Sequence, residues 1–230
     1  MRETQLKIIA LAQKEVAEIF GNKVDSRFVF HTLKHTTEVA DAAGAIANFY
    51  QFDDNDKFTL AIAAWFHDTG FSSGRIEGHE IESAKIAETF LHKYKVDCTF
   101  ISGVTACIQA TKMPQRPVSG IDKVICDADL FHLGTKHFDE RTELLRQELQ
   151  FYYKADITEK EWGLQNIEFL KSHHYFTGYC QQMLEPVKQQ WIIKLEKGKQ
   201  KNSGKRMHTV IWQQPFGGNI NNPSGFSSHT

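Results

Sequence analysis

Helical periodicity dominates the first half of this sequence. No proline occurs before Pro114, so nothing in the first 113 residues removes a backbone N–H or forces a break in a helix. Between Leu6 and Phe20, apolar side chains recur at intervals of three and four residues, which is the spacing of one face of an α-helix. Few segments alternate between apolar and polar residues, which is the pattern of a half-buried strand. The sequence therefore predicts an all-α fold, a single helical bundle.

The helix boundaries follow from the same pattern combined with capping residues. The first helix is expected to stop at Gly21, and a third to begin at Asp53 or Asp54, whose carboxylates suit the N-cap position. Residues 60–66 are apolar on every side, which predicts a buried central helix that ends at residues 67–68. The other helices are predicted over residues 32–50, 79–94, 98–111, 139–153 and 158–173, with a short one from residue 122 and a last one ending near residue 197.

The charge balance and the cysteine spacing restrict the class of protein. The 230 residues carry 27 basic and 28 acidic side chains, so the chain lacks the basic excess of a protein that binds nucleic acid polymers or membrane surfaces. The longest apolar run, residues 60–66, is far too short to span a bilayer, and no secretory signal is visible. Four widely spaced cysteines without a CxxC pair indicate thiols in a reducing compartment, so we expect a cytoplasmic protein.

The composition changes after Leu195, which predicts where the folded domain ends. Residues 197–206 are basic and polar, and residues 213–230 are rich in Gly, Asn, Ser and Pro, without enough apolar side chains for a core. We therefore expect one folded domain over residues 1–196 and a flexible tail over residues 197–230 that contributes no chemistry.

Two of the 11 histidines and two aspartates stand out because they fall on inward faces of the predicted helices. Three of them are spaced three or four residues from an apolar residue, which puts both on the same helix face. The pairs are His35 with Val39, His67 with Ala64, and Asp129 with Ile125. Asp68 follows His67 directly. An ionisable side chain on an inward face destabilises the fold by several kcal/mol unless it has a partner. A shared divalent cation would offset that cost, because imidazole nitrogens and carboxylate oxygens are its usual ligands.

The order of these residues resembles the H…HD…D pattern of the HD superfamily of metal-dependent phosphohydrolases. The resemblance extends to Phe-His-Thr-Leu-Lys-His-Thr at 30–36, Ala-Trp-Phe-His-Asp-Thr-Gly at 64–70 and Asp-Ala-Asp-Leu at 127–130, and it covers residues 26–135 well. It implies an HD-type helical bundle with one divalent metal, and a second metal is not expected. The implied ligands are His35, His67, Asp68 and Asp129, a set that accepts Mn, Mg, Zn, Ni, Co or Fe. It also implies attack on a phosphate by a water molecule that the metal activates.

Further candidates surround this core set. His31 lies one turn before the first ligand and is a candidate to bind a substrate phosphate or to orient the metal ligands. His79 opens a predicted helix whose N-terminal amides favour an anion, and it is also the alternative ligand for a second metal. Glu80 or Glu82 is the candidate general base. The predicted catalytic residues are thus Asp68, His79 and Glu80.

Other charged and titratable side chains carry weaker positional signals. Loops near the metal-bearing helix ends supply cations that suit a phosphate, and the candidates for substrate binding besides His31 are Lys34, Arg75, Lys112 and Arg116. His92 is expected on the surface and His132 in packing. His173 and His174 are expected at a helix C-terminus, where an imidazolium meets the helix dipole favourably.

These features favour a hydrolase of a small phosphorylated molecule, a nucleotide or a related phosphoester. Thr69-Gly70-Phe71 stands where the alarmone-hydrolase subgroup has a Glu-Asp pair, which argues against that substrate. Two alternatives stay open, a catalytically silent HD-fold module that senses a ligand and a diiron oxygenase of the same superfamily. The oxygenase requires two extra histidines before Asp129, and of the two available, His79 and His92, the second is predicted to face away. The oligomeric state is left open.

Overall fold

The computed structural model describes residues 1–201, and these residues form helices and no strands. Ten α-helices occur in this part of the chain: α1 (Glu3–Asn22), α2 (Leu33–Phe49), α3 (Asp54–Phe66), α4 (His79–Lys93), α5 (Cys98–Ala110), α6 (Gly120–Asp129), α7 (Phe138–Tyr153), α8 (Glu159–Ser172), α9 (Gly178–Met183) and α10 (Glu185–Lys201). Two short 3₁₀ helices follow α3 and α6. The predicted all-α fold is confirmed.

Two helix ends differ from the sequence prediction, and one helix is new. Helix α1 continues through Gly21 to Asn22, because a glycine near a helix end weakens a helix without having to stop it. Helix α10 runs to Lys201, and the rest of the predicted tail, residues 202–230, lies outside the described residues. The six-residue helix α9 was not predicted. No helix within residues 1–201 is both long and apolar enough to cross a lipid bilayer.

Side-chain caps begin the helices where the sequence places them. The hydroxyl of Thr32 accepts a hydrogen bond from the backbone N–H of His35 and so starts α2. The carboxylate of Asp53 accepts from the N–H groups of Asn55 and Asp56 at 2.8 and 2.9 Å and starts α3. Such caps satisfy the unpaired N–H groups of a first turn. They therefore fix which residues enter the first turns of these two helices.

Helix α3 is the centre of the bundle. It packs against α1, α2, α4, α5 and α6, and its apolar run from Leu60 to Phe66 is mostly buried, with Ala61 and Trp65 partly exposed. A helix surrounded on so many sides must be apolar around most of its circumference. Because α3 ends inside the bundle, the residues that follow it, His67 and Asp68, enter the interior as well.

A close backbone contact brings the start of α4 against the turn after α3. At Gly70 a Cβ atom would lie 2.0 Å from the backbone oxygen of His79, so no larger residue fits there without displacing α4. The N–H of Gly70 donates to the hydroxyl of Ser83 at 2.8 Å. The first turn of α4 therefore lies directly beside the His67-Asp68 pair.

Helix α6 points two carboxylates in opposite directions. Asp127 accepts hydrogen bonds from the N–H groups of Phe176 and Thr177, both at 2.8 Å, and from the Thr177 hydroxyl at 2.6 Å. Two residues later, Asp129 lies on the other side of the helix, because two helical positions are separated by about 200°. One carboxylate thus holds the segment before α9, and the other is available to the site described below.

A buried lysine, not a histidine, provides the positive charge at the end of α8. Lys188 of α10 is 1% exposed, and its ammonium donates to the His173 backbone oxygen at 2.6 Å and lies 3.0 Å from Glu185. Burial, together with the Lys188 charge, lowers the pKa of His173 to about 3. The prediction that His173 serves as an imidazolium at this helix end is therefore wrong, because it assumed an exposed side chain.

The burial of His173 predicts an acid-sensitive contribution to stability. Its pKa is about 3 in the folded chain and about 6.5 in an unfolded one, so protonation favours unfolding. The stabilisation is complete above pH 6.5 and is lost as the pH falls toward 3, by about 2 kcal/mol between pH 7.5 and pH 5. We expect His173→Asn to remove this part of the pH dependence in urea unfolding curves. Equal pH dependence of wild type and variant would contradict it.

Candidate metal centre

Four side chains from three helices converge inside the bundle. His35 comes from the first turn of α2, His67 and Asp68 follow α3 directly, and Asp129 is the last residue of α6. Ligand atoms of His35, His67 and Asp129 all lie within 4.8 Å of one another. The Nε2 atoms of the two histidines lie 3.3 and 3.6 Å from Asp129 Oδ1. The structure therefore brings together all four residues that the H…HD…D pattern indicates.

Asp68 completes this cluster and leaves atoms without hydrogen bonds. Its Oδ2 atom lies 3.1 Å from His67 Nε2 and 3.5 Å from His35 Nε2. Both Asp68 Oδ2 and His67 Nε2 are fully buried and make no hydrogen bond. Buried polar atoms without a hydrogen bond are rare, and they indicate a site for a further partner such as a water molecule or an ion. Two imidazole nitrogens and two carboxylates form a donor set that fits a divalent metal.

One backbone contact sets the orientation of His67. Its Nδ1–H donates to the backbone oxygen of Ala64 at 2.8 Å, one turn back in α3. Nε2 is therefore the nitrogen that faces the cluster, and it would bind a metal in exchange for its proton. The helix that buries His67 therefore also fixes which nitrogen is available as a ligand.

The charges in the cluster stabilise one another. Burial opposes ionisation of Asp68 and Asp129, yet the neighbouring imidazoles of His67, His35 and His79 hold the pKa of both carboxyls well below the usual range. Burial likewise opposes protonation of His67, but the two carboxylates raise its pKa well above the ordinary value. Both aspartates are therefore carboxylates near neutral pH, which is the form that binds a cation.

His79 and Glu80, at the start of α4, lie next to the cluster. His79 donates from Nδ1 to the Ile76 backbone oxygen at 2.7 Å, and its Nε2 atom lies 3.5 Å from Asp68 Oδ1. The Asp68 carboxylate thus has imidazoles on both oxygens. Glu80 is buried, and its Oε2 atom has no hydrogen-bond partner. The other candidate base, Glu82, lines a different surface cavity and lies 3.6 Å from Lys85.

Glu148 of α7 is a site residue that the sequence reasoning missed. It is completely buried and accepts from the N–H groups of Phe30 and His31 at 2.9 and 3.1 Å, as well as from His31 Nδ1. This pairing turns Nε2 of His31 away from α7. A signal existed in the sequence, since a glutamate three residues after Leu145 falls on the apolar face of that helix.

An aromatic ring connects the two histidines nearest the cluster. Phe71 stacks on His31 with ring centroids 4.1 Å apart, and the His79 ring lies 4.3 Å away on a tilted approach. Phe71 is fully buried beside Phe28 in a second apolar cluster that includes Leu149 of α7. The positions of both histidines therefore depend on packing as well as on hydrogen bonds.

Two cavities border the cluster. The smaller, of about 80 Å³, is mostly apolar, and five of the residues above also line it, His31, Asp68, His79, Glu80 and Asp129. The wider cleft, of about 490 Å³, lies between α2 and the start of α7. His35 and Asp129 lie at its inner end. Asp129 and His132 line both cavities.

The four cations predicted to bind substrate are dispersed. Lys34 is exposed at the edge of the wider cleft, 3.9 Å from Glu38. Arg75, Lys112 and Arg116 are exposed and line neither of the two cavities, although Thr111 and Met113 on either side of Lys112 line the smaller one. The loops thus border the site as expected, but their charged side chains extend into solvent.

His132 and His92 lie in packing and on the surface, respectively, as predicted. Burial lowers the pKa of His132 to about 3, so this ring is neutral, and it packs on Phe30 with centroids 5.3 Å apart. His92 is exposed on α4, 3.7 Å from Glu88. It therefore does not approach the cluster, which removes one of the two extra histidines that a diiron oxygenase would require.

Comparisons with known proteins agree with this geometry. The family model described as HD domain matches residues 32–160. Comparisons with curated proteins and with solved structures give no match. The matched segment spans more than half of the 230 residues and contains every residue of the buried cluster, so this chain belongs to the HD domain family.

Proposed function

We propose that this protein is a metal-dependent hydrolase of a small phosphorylated molecule, a nucleotide or a related phosphoester. The family consists mostly of metal-dependent phosphohydrolases, and its domains bind divalent metals. The observation that carries the proposal is the pair of buried atoms without hydrogen bonds, His67 Nε2 and Asp68 Oδ2, in a cluster whose Asp129 lines both cavities. A purely structural role would give both atoms hydrogen bonds, whereas among the described residues their close polar contacts are the 3.1 Å ion pair with each other and longer ones with the rest of the cluster.

The four clustered residues would hold the metal, His35 and His67 through Nε2 and Asp68 and Asp129 through carboxylate oxygens. A divalent cation bound there supplies Lewis-acid chemistry, lowering the pKa of water and neutralising charge on a phosphate. The chain itself supplies the rest of the site. His79 holds the second oxygen of Asp68, which fixes the direction of that carboxylate.

Glu80 is the proposed general base. Its Oε2 atom is buried without a hydrogen bond, and the residue lines the smaller cavity together with Asp68. A carboxylate in that position accepts a proton from the water that attacks phosphorus.

His31 is the proposed phosphate-binding residue of the smaller cavity, and Glu148 is its positioning residue. The carboxylate of Glu148 contacts the backbone and Nδ1 of His31, which leaves Nε2 for a substrate oxygen. Both cavities suit a small molecule better than a polymer. Cys107, Cys126 and Cys180 are buried free thiols, which supports a reducing compartment such as the cytoplasm.

Replacing one carboxylate of the cluster tests the metal site. We expect Asp129→Asn to weaken binding of divalent metal by more than about 100-fold, because an amide oxygen carries no charge to offset the cation. Turnover on a panel of nucleotides and phosphoesters should fall with it. Metal content by elemental analysis and phosphate release are the measurements. Equal metal content and equal turnover in wild type and variant would show that this cluster is not the site.

Asp127→Asn is the matched control for that experiment. It makes the same chemical change two residues earlier on α6, where the carboxylate binds Phe176 and Thr177 and does not face the cluster. We expect it to lower the free energy of unfolding by about 1–3 kcal/mol while metal content is retained. If both variants lose metal equally, metal content depends on the stability of α6 and not on Asp129 as a ligand.

Glu148→Gln tests the positioning of His31. We expect kcat/KM to fall by about 10- to 100-fold with metal content unchanged, since the variant loses the carboxylate that orients the imidazole. In a His31→Gln background the same substitution should have little further effect, because the two residues act as one unit. Additive losses in the double variant would show that Glu148 contributes only to packing.

A further inference from the structure

The wider cleft is the larger of the two openings on the metal centre. At about 490 Å³ it falls in the size range of sites for nucleotide-sized molecules, whereas the smaller cavity of about 80 Å³ holds only a few atoms. His35 and Asp129 lie at its inner end, and residues of α2 and α7 form its sides. A substrate that reaches the metal centre therefore has room for most of its atoms here.

Arg141 lies in the wall of this cleft with few hydrogen bonds. It is 3% exposed, and its Nε atom is buried without a hydrogen-bond partner. Nη2 donates to the backbone oxygen of Phe30 at 3.4 Å, and Nε lies 3.7 Å from the carboxylate of Glu38. A guanidinium has five N–H donors, so these two long contacts leave it poorly compensated for the loss of water. Consistent with this, burial lowers the pKa of Arg141.

Glu38, Glu140 and Glu148 lie in the electrostatic surroundings of Arg141, but none of them forms a hydrogen bond with its guanidinium. Glu38 is about half exposed and is also the neighbour of Lys34, so a single carboxylate serves two cations. Glu140 pairs with His137 at 3.5 Å on the surface, and Asp129 belongs to the metal cluster. The remaining acid of the cleft, Asp41, lies on α2 two turns beyond Lys34.

The Phe30 ring places the guanidinium close to the metal ligands. Arg141 Cζ lies 4.6 Å from the centre of this ring, and the His35 ring lies 4.9 Å from the same centre. Both groups therefore contact the same aromatic ring. An anion on Arg141 would be next to, but distinct from, a phosphate at the metal centre.

We propose that Arg141, with Lys34 at the edge of the cleft, binds a second phosphate of the substrate. The proposal rests on the proposed phosphohydrolase function and narrows it to molecules with two or more linked phosphates. The forked guanidinium suits a phosphate because it can donate two parallel hydrogen bonds to it.

The test is a calorimetric titration of the full-length, metal-free protein with inorganic tripolyphosphate. Without a metal, binding at the metal centre does not contribute. We expect Arg141→Gln to weaken binding by about tenfold or more, because charge-assisted hydrogen bonds are lost. Lys136→Gln is the charge-matched control, since this exposed lysine does not line the cleft, and should change affinity by less than about twofold.

Glu38→Gln keeps the test decisive if Arg141→Gln does not fold. Glu38 is about half exposed, so its replacement leaves the core intact. It should tighten tripolyphosphate binding several-fold by releasing Arg141 and Lys34 from their shared carboxylate. The proposal is overturned if neither variant differs from wild type. It is also overturned if orthophosphate binds as tightly as tripolyphosphate, because the cleft would then hold a single phosphate.

These outcomes separate the cleft from the reaction. Binding that depends on Arg141 supports the anion site even if the metal-loaded protein hydrolyses none of the tested phosphoesters, a result that would count against the proposed function alone. If the protein hydrolyses phosphoesters but Arg141→Gln binds tripolyphosphate as tightly as wild type does, the proposed function is retained. The proposed phosphate site at Arg141 is then refuted.

Discussion

The structure depends on placing two imidazoles and two carboxylates at one point inside an apolar helical bundle. Each of these groups would be unfavourable there alone, and together they stabilise one another and leave donors for a cation. This requires three helix ends to meet. Helix α3 meets the requirement by ending in the centre of the bundle, while α2 begins and α6 ends at the same place.

The segment just before α2 is held by α7 through opposite charges. Glu148 accepts from the N–H groups of Phe30 and His31, and Arg141, on the same face of α7, donates to the Phe30 backbone oxygen. Phe30 and His31 line the small apolar cavity, and Arg141 lines the wider cleft. A single helix therefore determines both the orientation of His31 and the charge of the cleft wall, although α7 contributes none of the clustered metal-binding candidates.

Residue spacing in the sequence predicts features that depend on contacts within one helix. It does not predict features that depend on residues far apart in the chain. Helical periodicity and caps predicted most helices, and intervals of three and four residues placed His35, His67 and Asp129 on faces that the structure turns inward. Glu148 was missed because its partners lie more than 100 residues away, beyond any local pattern. His173 was misread because the helix-dipole rule assumes solvent, whereas Lys188 covers that helix end. Exposed cations such as Arg75 carry no spacing signal.

The two opposed carboxylates of α6 restrict insertions and deletions within this helix. Asp127 and Asp129 are separated by one residue, and each has its own set of partners on its own side of the helix. Inserting or deleting one residue inside α6 would rotate everything beyond it by about 100°. Such a change would take one carboxylate out of register with its partners. In related sequences, insertions and deletions should therefore occur in the loops, and the length of α6 should be constant.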